Sequence, residues 1–153
     1  MPILVREAKA DDLQRLAALF DAYRVFYGQA PNPYAAQLFL SERLKRGDSK
    51  IFLAVDGETH QTVGFVQLYP TFSSVRVGRL WILNDLYVRE DVRRGGIASA
   101  LINAAETFAR TTGAIGITLT TAHSNERAQA LYEKRGFTRD LEFAAFHKYF
   151  DKV

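Results

Sequence analysis

The sequence predicts an α/β fold, a mixed sheet flanked by helices, and three observations carry that reading. Apolar residues recur at helical spacing in several stretches, apolar runs and alternations between them read as strands, and the two kinds of segment interleave along the chain. The predicted order is a strand, two helices, three strands, a helix, a strand, a helix and then further strands, with roughly six or seven strands and about four helices in all.

Ile3 to Glu7 reads as the first strand. Asp11 and Asp12 then open a helix with Leu13, Leu16, Ala17, Phe20 and Tyr23 on one stripe, the acids suiting its N-terminal dipole. Ala30-Pro31-Asn32-Pro33 breaks the chain; a second helix over 34–46 turns Leu40 and Leu44 inward and stops at Gly47. An apolar strand over 51–55 meets its partner over 63–69 through a hairpin loop starting at Asp56-Gly57, and a third long strand covers 80–88. The segment 97–112 is strongly amphipathic, with Ala98, Leu101, Ile102, Ala105, Phe108 and Ala109 on one face. After Gly113 a half-buried strand is expected over 115–120, a short helix over 125–135 closed by Gly136, and a final strand pair around 137–142 and 145–150.

With 153 residues and no linker, repeat or low-complexity tract, the chain is expected to form a single domain over 1–153. No apolar run approaches the roughly 18 residues of a membrane-spanning helix, and the start lacks the features of a secretory signal, so a cytoplasmic protein is expected. The absence of cysteine excludes disulfides, thiolate metal sites and a cysteine nucleophile. The net charge of +3 comes from interspersed residues, and the nearest approach to a basic cluster, Arg89, Arg93 and Arg94, suits a phosphorylated small ligand better than a nucleic acid. His60, His123 and His147 show no metal-ligand spacing, so no metal is expected.

The most informative stretch is 84–99, where a strand ending Leu86-Tyr87-Val88 passes through Arg93-Arg94-Gly95-Gly96 into the helix beginning Ile97-Ala98-Ser99. Such a junction points free backbone N–H groups and the positive end of a helix dipole at an anion, while the glycines permit close approach and the arginines supply charged donors. A solvated turn that only caps the helix is the alternative reading of these residues. The spacing matches neither a P-loop nor the three-glycine dinucleotide fingerprint.

Read as Gln/Arg-x-x-Gly-x-Gly/Ala on Arg93, Gly96 and Ala98, the junction resembles the pyrophosphate-binding motif of the GCN5-related N-acetyltransferases (GNAT). Downstream, Asn125, Ala128, Tyr132, Gly136 and Phe137 resemble the family's second signature, Asn-x-x-Ala-x-x-x-Tyr-x-x-x-Gly-Phe, and the element order is similar over essentially the whole chain. The resemblance implies a GNAT-type domain that transfers acetyl from acetyl-CoA to an amine. It implies that the strand ending at Val88 carries a bulge and splays from the next parallel strand, opening a cleft for the pantetheine arm. By the same resemblance the diphosphate lies on the N–H groups of Arg94, Gly95, Gly96, Ile97, Ala98 and Ser99, with Arg93 beside it. Leu86, Tyr87 and Val88 then lie along the arm, Asn125 holds it, Tyr132 protonates the departing thiolate, and Asp85 orients or deprotonates the amine.

Asp85 lies on a mainly apolar strand, either facing solvent or buried for a purpose, because an unpaired buried charge is costly. The segments 20–27 and 82–88 are similar to the polyamine acetyltransferase branch and its relatives, with Asp21, Asp85 and Glu142 as candidate acids for a cationic acceptor. Asn84 stands where an acid would be expected in spermidine and spermine enzymes. A peptide or protein acetyltransferase of the same fold and a non-catalytic acetyl-CoA sensor are the rival readings. Phe143, Phe146, Tyr149 and Phe150 on the late strands suggest a homodimer.

Overall fold

A computed structural model describes residues 2–151. The chain groups into two compact units, Met1–Thr120 and Thr121–Val153. The first unit contains strands β1 (Ile3–Glu7), β2 (Lys50–Asp56), β3 (Thr62–Ser73), β4 (Gly78–Val88) and β5 (Gly116–Thr118), with helices α1 (Leu13–Phe26), α2 (Pro33–Arg46) and α3 (Ile97–Thr111). The second contains α4 (Glu126–Lys134).

Local chemistry sets the helix ends as the sequence predicts. The Asn32 side chain accepts from the Ala35 N–H at the start of α2, where Pro33 occupies the first turn, and Gly47 ends the helix in the left-handed region at φ 61°. Asp12 accepts from the Lys9 N–H and takes a two-point contact from Arg6 at 2.8 Å, which ties the first strand to the start of α1. Asp21, expected among the acids facing a cationic acceptor, is committed elsewhere. It is buried, binds Arg24 at 2.7 Å and accepts from the Asn32 N–H, so it holds the α1–α2 loop.

The sheet runs β1-β2-β3-β4-β5, antiparallel except for the parallel β4–β5 pair. One face carries α1 and α2, whose Leu16, Phe20, Ala36 and Leu40 pack with Ile51, Leu53, Phe65 and Tyr87. The other carries α3, where Phe108 meets Phe52 and Trp81 and the Trp81 indole N–H donates to the Thr112 hydroxyl at 2.9 Å. Gly64 lets α3 approach: a Cβ there would lie 3.0 Å from the Tyr87 carbonyl oxygen and 3.2 Å from Leu101.

Two features of β4 build the site. Its pairing with β3 slips by one residue, Gln67 facing Asp85 and Leu68 facing Leu83, so Asn84 is the extra residue of a β-bulge. The slip exchanges faces. Trp81 lies against α3, whereas Tyr87, an even number of residues later, packs against Tyr23 of α1. Pairing with β5 also stops at Ile82–Thr118, leaving β4 from Leu83 to Val88 with no strand on that side among the described residues. The bulge and the splay thus both occur on the strand for which they were expected.

The sheet is narrower than the predicted six or seven strands. Residues 137–151 form no strand, and β5 covers three residues rather than the whole of 115–120. The Asp140 carboxylate accepts from the Glu142 and Phe143 N–H groups, turning the backbone where an extended strand over 137–142 was expected. The aromatic residues here supply strand propensity without a ladder partner, and Phe143, Phe146, Tyr149 and Phe150 are all exposed.

Candidate active site

The β4–α3 junction is built as an anion seat. After Val88 the chain makes a short 3-10 turn over Glu90–Val92, and Arg94 and Gly96 both take positive φ, 72° and 78°, to bring the backbone into α3. The first bond of the helix runs from the Ala100 N–H to the Gly96 carbonyl at 3.0 Å. The amides of Ile97, Ala98 and Ser99 therefore have no intrahelical acceptor, and Gly96 at the N-cap has no side chain to satisfy them. A Cβ on Gly96 would meet nothing within 4 Å, so the space above these amides is open. Arg94, Gly95 and Gly96 are exposed around it. This donor set fits a diphosphate.

Arg93 has a different task from its neighbour. Its Nε donates to the Val88 carbonyl at 2.8 Å, and its guanidinium lies 5.2 Å and 5.3 Å from the ring centroids of Phe26 and Tyr87. It braces the turn against the end of α1, and its planar charged group is well suited to stacking and donating at once.

Asp85 is 5% exposed, which resolves the alternatives left by its place in the sequence. The bulge turns it to the α1–α2 side, where its carboxylate accepts from Gln67 Nε2 at 2.8 Å and Asn84 Nδ2 at 3.1 Å. Tyr23 of α1 faces the same carboxylate; burial first, and then the charge of Asp85, hold that phenol far above the ordinary range for tyrosine. The Tyr69 phenol is pushed up to about 12, by burial and then by the same carboxylate. Both phenols stay protonated at neutral pH and can act as donors. Gln67, Tyr23 and Tyr69 were not read as site residues from the sequence; the pairing of Gln67 with Asp85 through the slipped register finds Gln67, and the packing of α1 on the sheet brings in Tyr23.

In the second unit Asn125 caps α4, its Oδ1 accepting from the Ala128 N–H at 3.1 Å, so its amide hydrogens remain available to a ligand. Gln129 ties α4 to the preceding loop through the Ala122 and His123 carbonyls. Tyr132 packs edge-on against Phe137 at 5.7 Å, and the Phe137 N–H bonds the Tyr132 carbonyl, which explains why the signature ends Gly-Phe. His123 and Glu142 are exposed. No group of His, Asp and Glu among the described residues could hold a metal ion.

An uncapped, glycine-lined helix start after a strand that has lost its parallel partner is a seat suited to a phosphorylated ligand. The family model of the acetyltransferase (GNAT) family matches residues 15–137, and the chain belongs to that family. It is an acetyl-CoA-dependent acyltransferase. It is 42% identical over 142 residues to the uncharacterized N-acetyltransferase YhfO of Bacillus subtilis, spanning 93% of this chain and 94% of that one. A solved structure of a probable acetyltransferase superposes with a TM-score of 0.90 at 41% identity, covering 100% of both chains. The D-amino-acid N-acetyltransferase HPA3 of Saccharomyces cerevisiae is 35% identical over 88 residues, 58% of this chain and 55% of the yeast protein. No helix among the described residues is long and apolar enough to cross a membrane.

Proposed function

We infer that this enzyme passes the acetyl group directly from acetyl-CoA to a primary amine, with a polyamine, an amino acid or a lysine-like amine as the acceptor. The observation that carries this reading is Asp85, a buried carboxylate turned by the Asn84 bulge beside the open length of β4. The amine nitrogen gives up a proton and forms the C–N bond as the C–S bond breaks, and the departing thiolate takes up a proton. Asp85 orients the amine and receives its proton directly or through one water. Tyr132, whose phenol can donate a proton, is the proposed donor to the thiolate.

The cofactor-binding assignment follows the motifs. The amides from Arg94 to Ser99 hold the diphosphate, Leu86, Tyr87 and Val88 flank the pantetheine arm, and Asn125 binds that arm through its free amide hydrogens. A backbone N–H near Val88 is the proposed donor to the carbonyl oxygen as it gains charge. The yeast relative's name supports including D-amino acids among the acceptors to be tested. The exposed aromatic residues of 143–150 support self-association as a homodimer, which light scattering tests: a monomer at high concentration removes it.

The deciding experiment incubates the protein with acetyl-CoA and spermidine, putrescine, D- and L-amino acids and lysine-containing peptides, and measures free thiol. Release with one or more of these amines, reduced at least 100-fold in Asp85→Asn, is expected. Thiol release no faster than without amine, across the whole panel, overturns the reading.

A further inference from the structure

The buried acids of the first unit are satisfied in different ways. Asp12 is matched by Arg6 and Asp21 by Arg24, each a charged partner, and Asp56 accepts backbone N–H groups in the β2–β3 turn. The donors on Asp85 are two amides, both neutral, with the protonated phenol of Tyr23 beside them. Neutral donors fix the direction of a carboxylate while leaving its charge to attract a cation.

Gln67 is the innermost of these donors. It is 0% exposed, on the central strand β3, and lies directly across the ladder from Asp85. Its carboxamide cannot turn over, because that would set Oε1 against the carboxylate. With Nε2 committed to Asp85, Oε1 is buried and accepts no hydrogen bond from the described residues. A buried unsatisfied acceptor costs about 1–3 kcal/mol. A fully buried amide on the central strand, whose hydrogen bond to another side chain is the one to Asp85, is better explained by what it does to Asp85 than by packing.

We propose that Gln67 is a positioning residue for the acceptor: its Nε2 fixes Asp85 in the orientation that receives a protonated amine and so sets a preference for cationic over uncharged acceptors. Tyr23 from α1 and Asn84 at the bulge complete the cradle. The charge of Asp85 also reaches Tyr69 on β3, as do the charges of the Arg43–Asp48 pair. This inference rests on the role given to Asp85 above.

A double-mutant cycle tests it. Gln67→Met keeps the volume and removes both the donor and the unsatisfied acceptor; Asp85→Asn removes the charge. Each variant, the double variant and the wild type are saturated with CoA, and the binding of D-lysine, spermidine and putrescine is measured by calorimetry alongside that of aniline, which is uncharged at neutral pH. We expect Gln67→Met to weaken the cationic amines about tenfold and aniline little, with CoA affinity unchanged, and to have no further effect in the Asp85→Asn background. Equal losses in both backgrounds, equal losses for aniline, no loss, or no binding of any cationic amine to the wild type would each overturn the proposal. If Gln67→Met does not fold, Gln67→Leu takes its place; failure of both to fold makes Gln67 structural and also overturns it. The thiol-release assay of Asp85→Asn separates the two levels: loss of turnover there with an uncoupled cycle removes Gln67 alone, whereas full turnover removes the role of Asp85 itself.

Discussion

The guanidinium of Arg93 lies 5.3 Å from the ring centroid of Tyr87 while its Nε holds the Val88 carbonyl at 2.8 Å, so one side chain fastens the β4–α3 turn to the strand that leads into it. The same group covers Phe26 at the end of α1, which makes the turn's shape depend on the first helix as well as on β4.

Replacing Arg93 should therefore loosen the turn before it removes any direct contact with phosphate. Arg93→Ala is expected to weaken acetyl-CoA binding by about tenfold, roughly 1.4 kcal/mol. Arg93→Lys should recover little of it, because an ammonium lacks both the Nε donor and the flat face. Calorimetric titration of the two variants checks this; full recovery by lysine would mean that charge alone matters.

Gly96 separates backbone strain from crowding. Its φ of 78° costs a non-glycine residue about 1–2 kcal/mol, least for asparagine, yet a Cβ there meets no protein atom within 4 Å. Gly96→Val should lower thermal stability modestly and acetyl-CoA affinity severely, since the open space is where the diphosphate is proposed to sit. Gly96→Asn should leave stability nearly intact and still impair binding. Thermal melts with and without acetyl-CoA distinguish the two effects.

Tyr132→Phe keeps the ring that packs on Phe137 and removes the hydroxyl. Its kcat should fall about 100-fold with acetyl-CoA affinity unchanged. Stopped-flow measurement of the acetyl-transfer step checks this, and a wild-type rate removes the hydroxyl from the chemistry.

The Arg6–Asp12 pair should give the fold an acid-sensitive contribution. The hydrogen bond from Arg6 holds the Asp12 carboxyl below its ordinary value of 3.8. A carboxyl with a lowered folded-state pKa stabilises the fold fully above the unfolded value, and that contribution is lost as pH falls through the folded one. Asp12→Asn should lower stability by about 2 kcal/mol at pH 7 and make progressively less difference as acid protonates the folded-state carboxyl. Denaturant melts at pH 7 and at successively lower pH measure the difference.

The elements of the first unit were legible because each is written locally. The helical stripe of α3 places Leu101, Ile102 and Ala105 in the core, Asn32 and Gly47 bracket α2, and the glycines of the β4–α3 turn sit where the backbone needs positive φ or open space. The strand pair expected around 137–142 and 145–150 did not form: propensity does not supply a partner strand, and the Asp140 turn overrides it over 137–142. Asp21 misled for a related reason: an acid near the N-terminal helices looks the same in sequence whether it faces a ligand or, as here, anchors a loop through Arg24 and Asn32.

By itself the sequence determined the α/β class, the glycine-rich turn into α3 and the paired motifs that mark an acetyltransferase, because these depend on residue type at short spacing. Only the tertiary structure decided which way Asp85 faces. A one-residue slip at Asn84 moves it from the α3 face to the α1–α2 face, and no local pattern reports a register that is set by pairing with Gln67 on another strand.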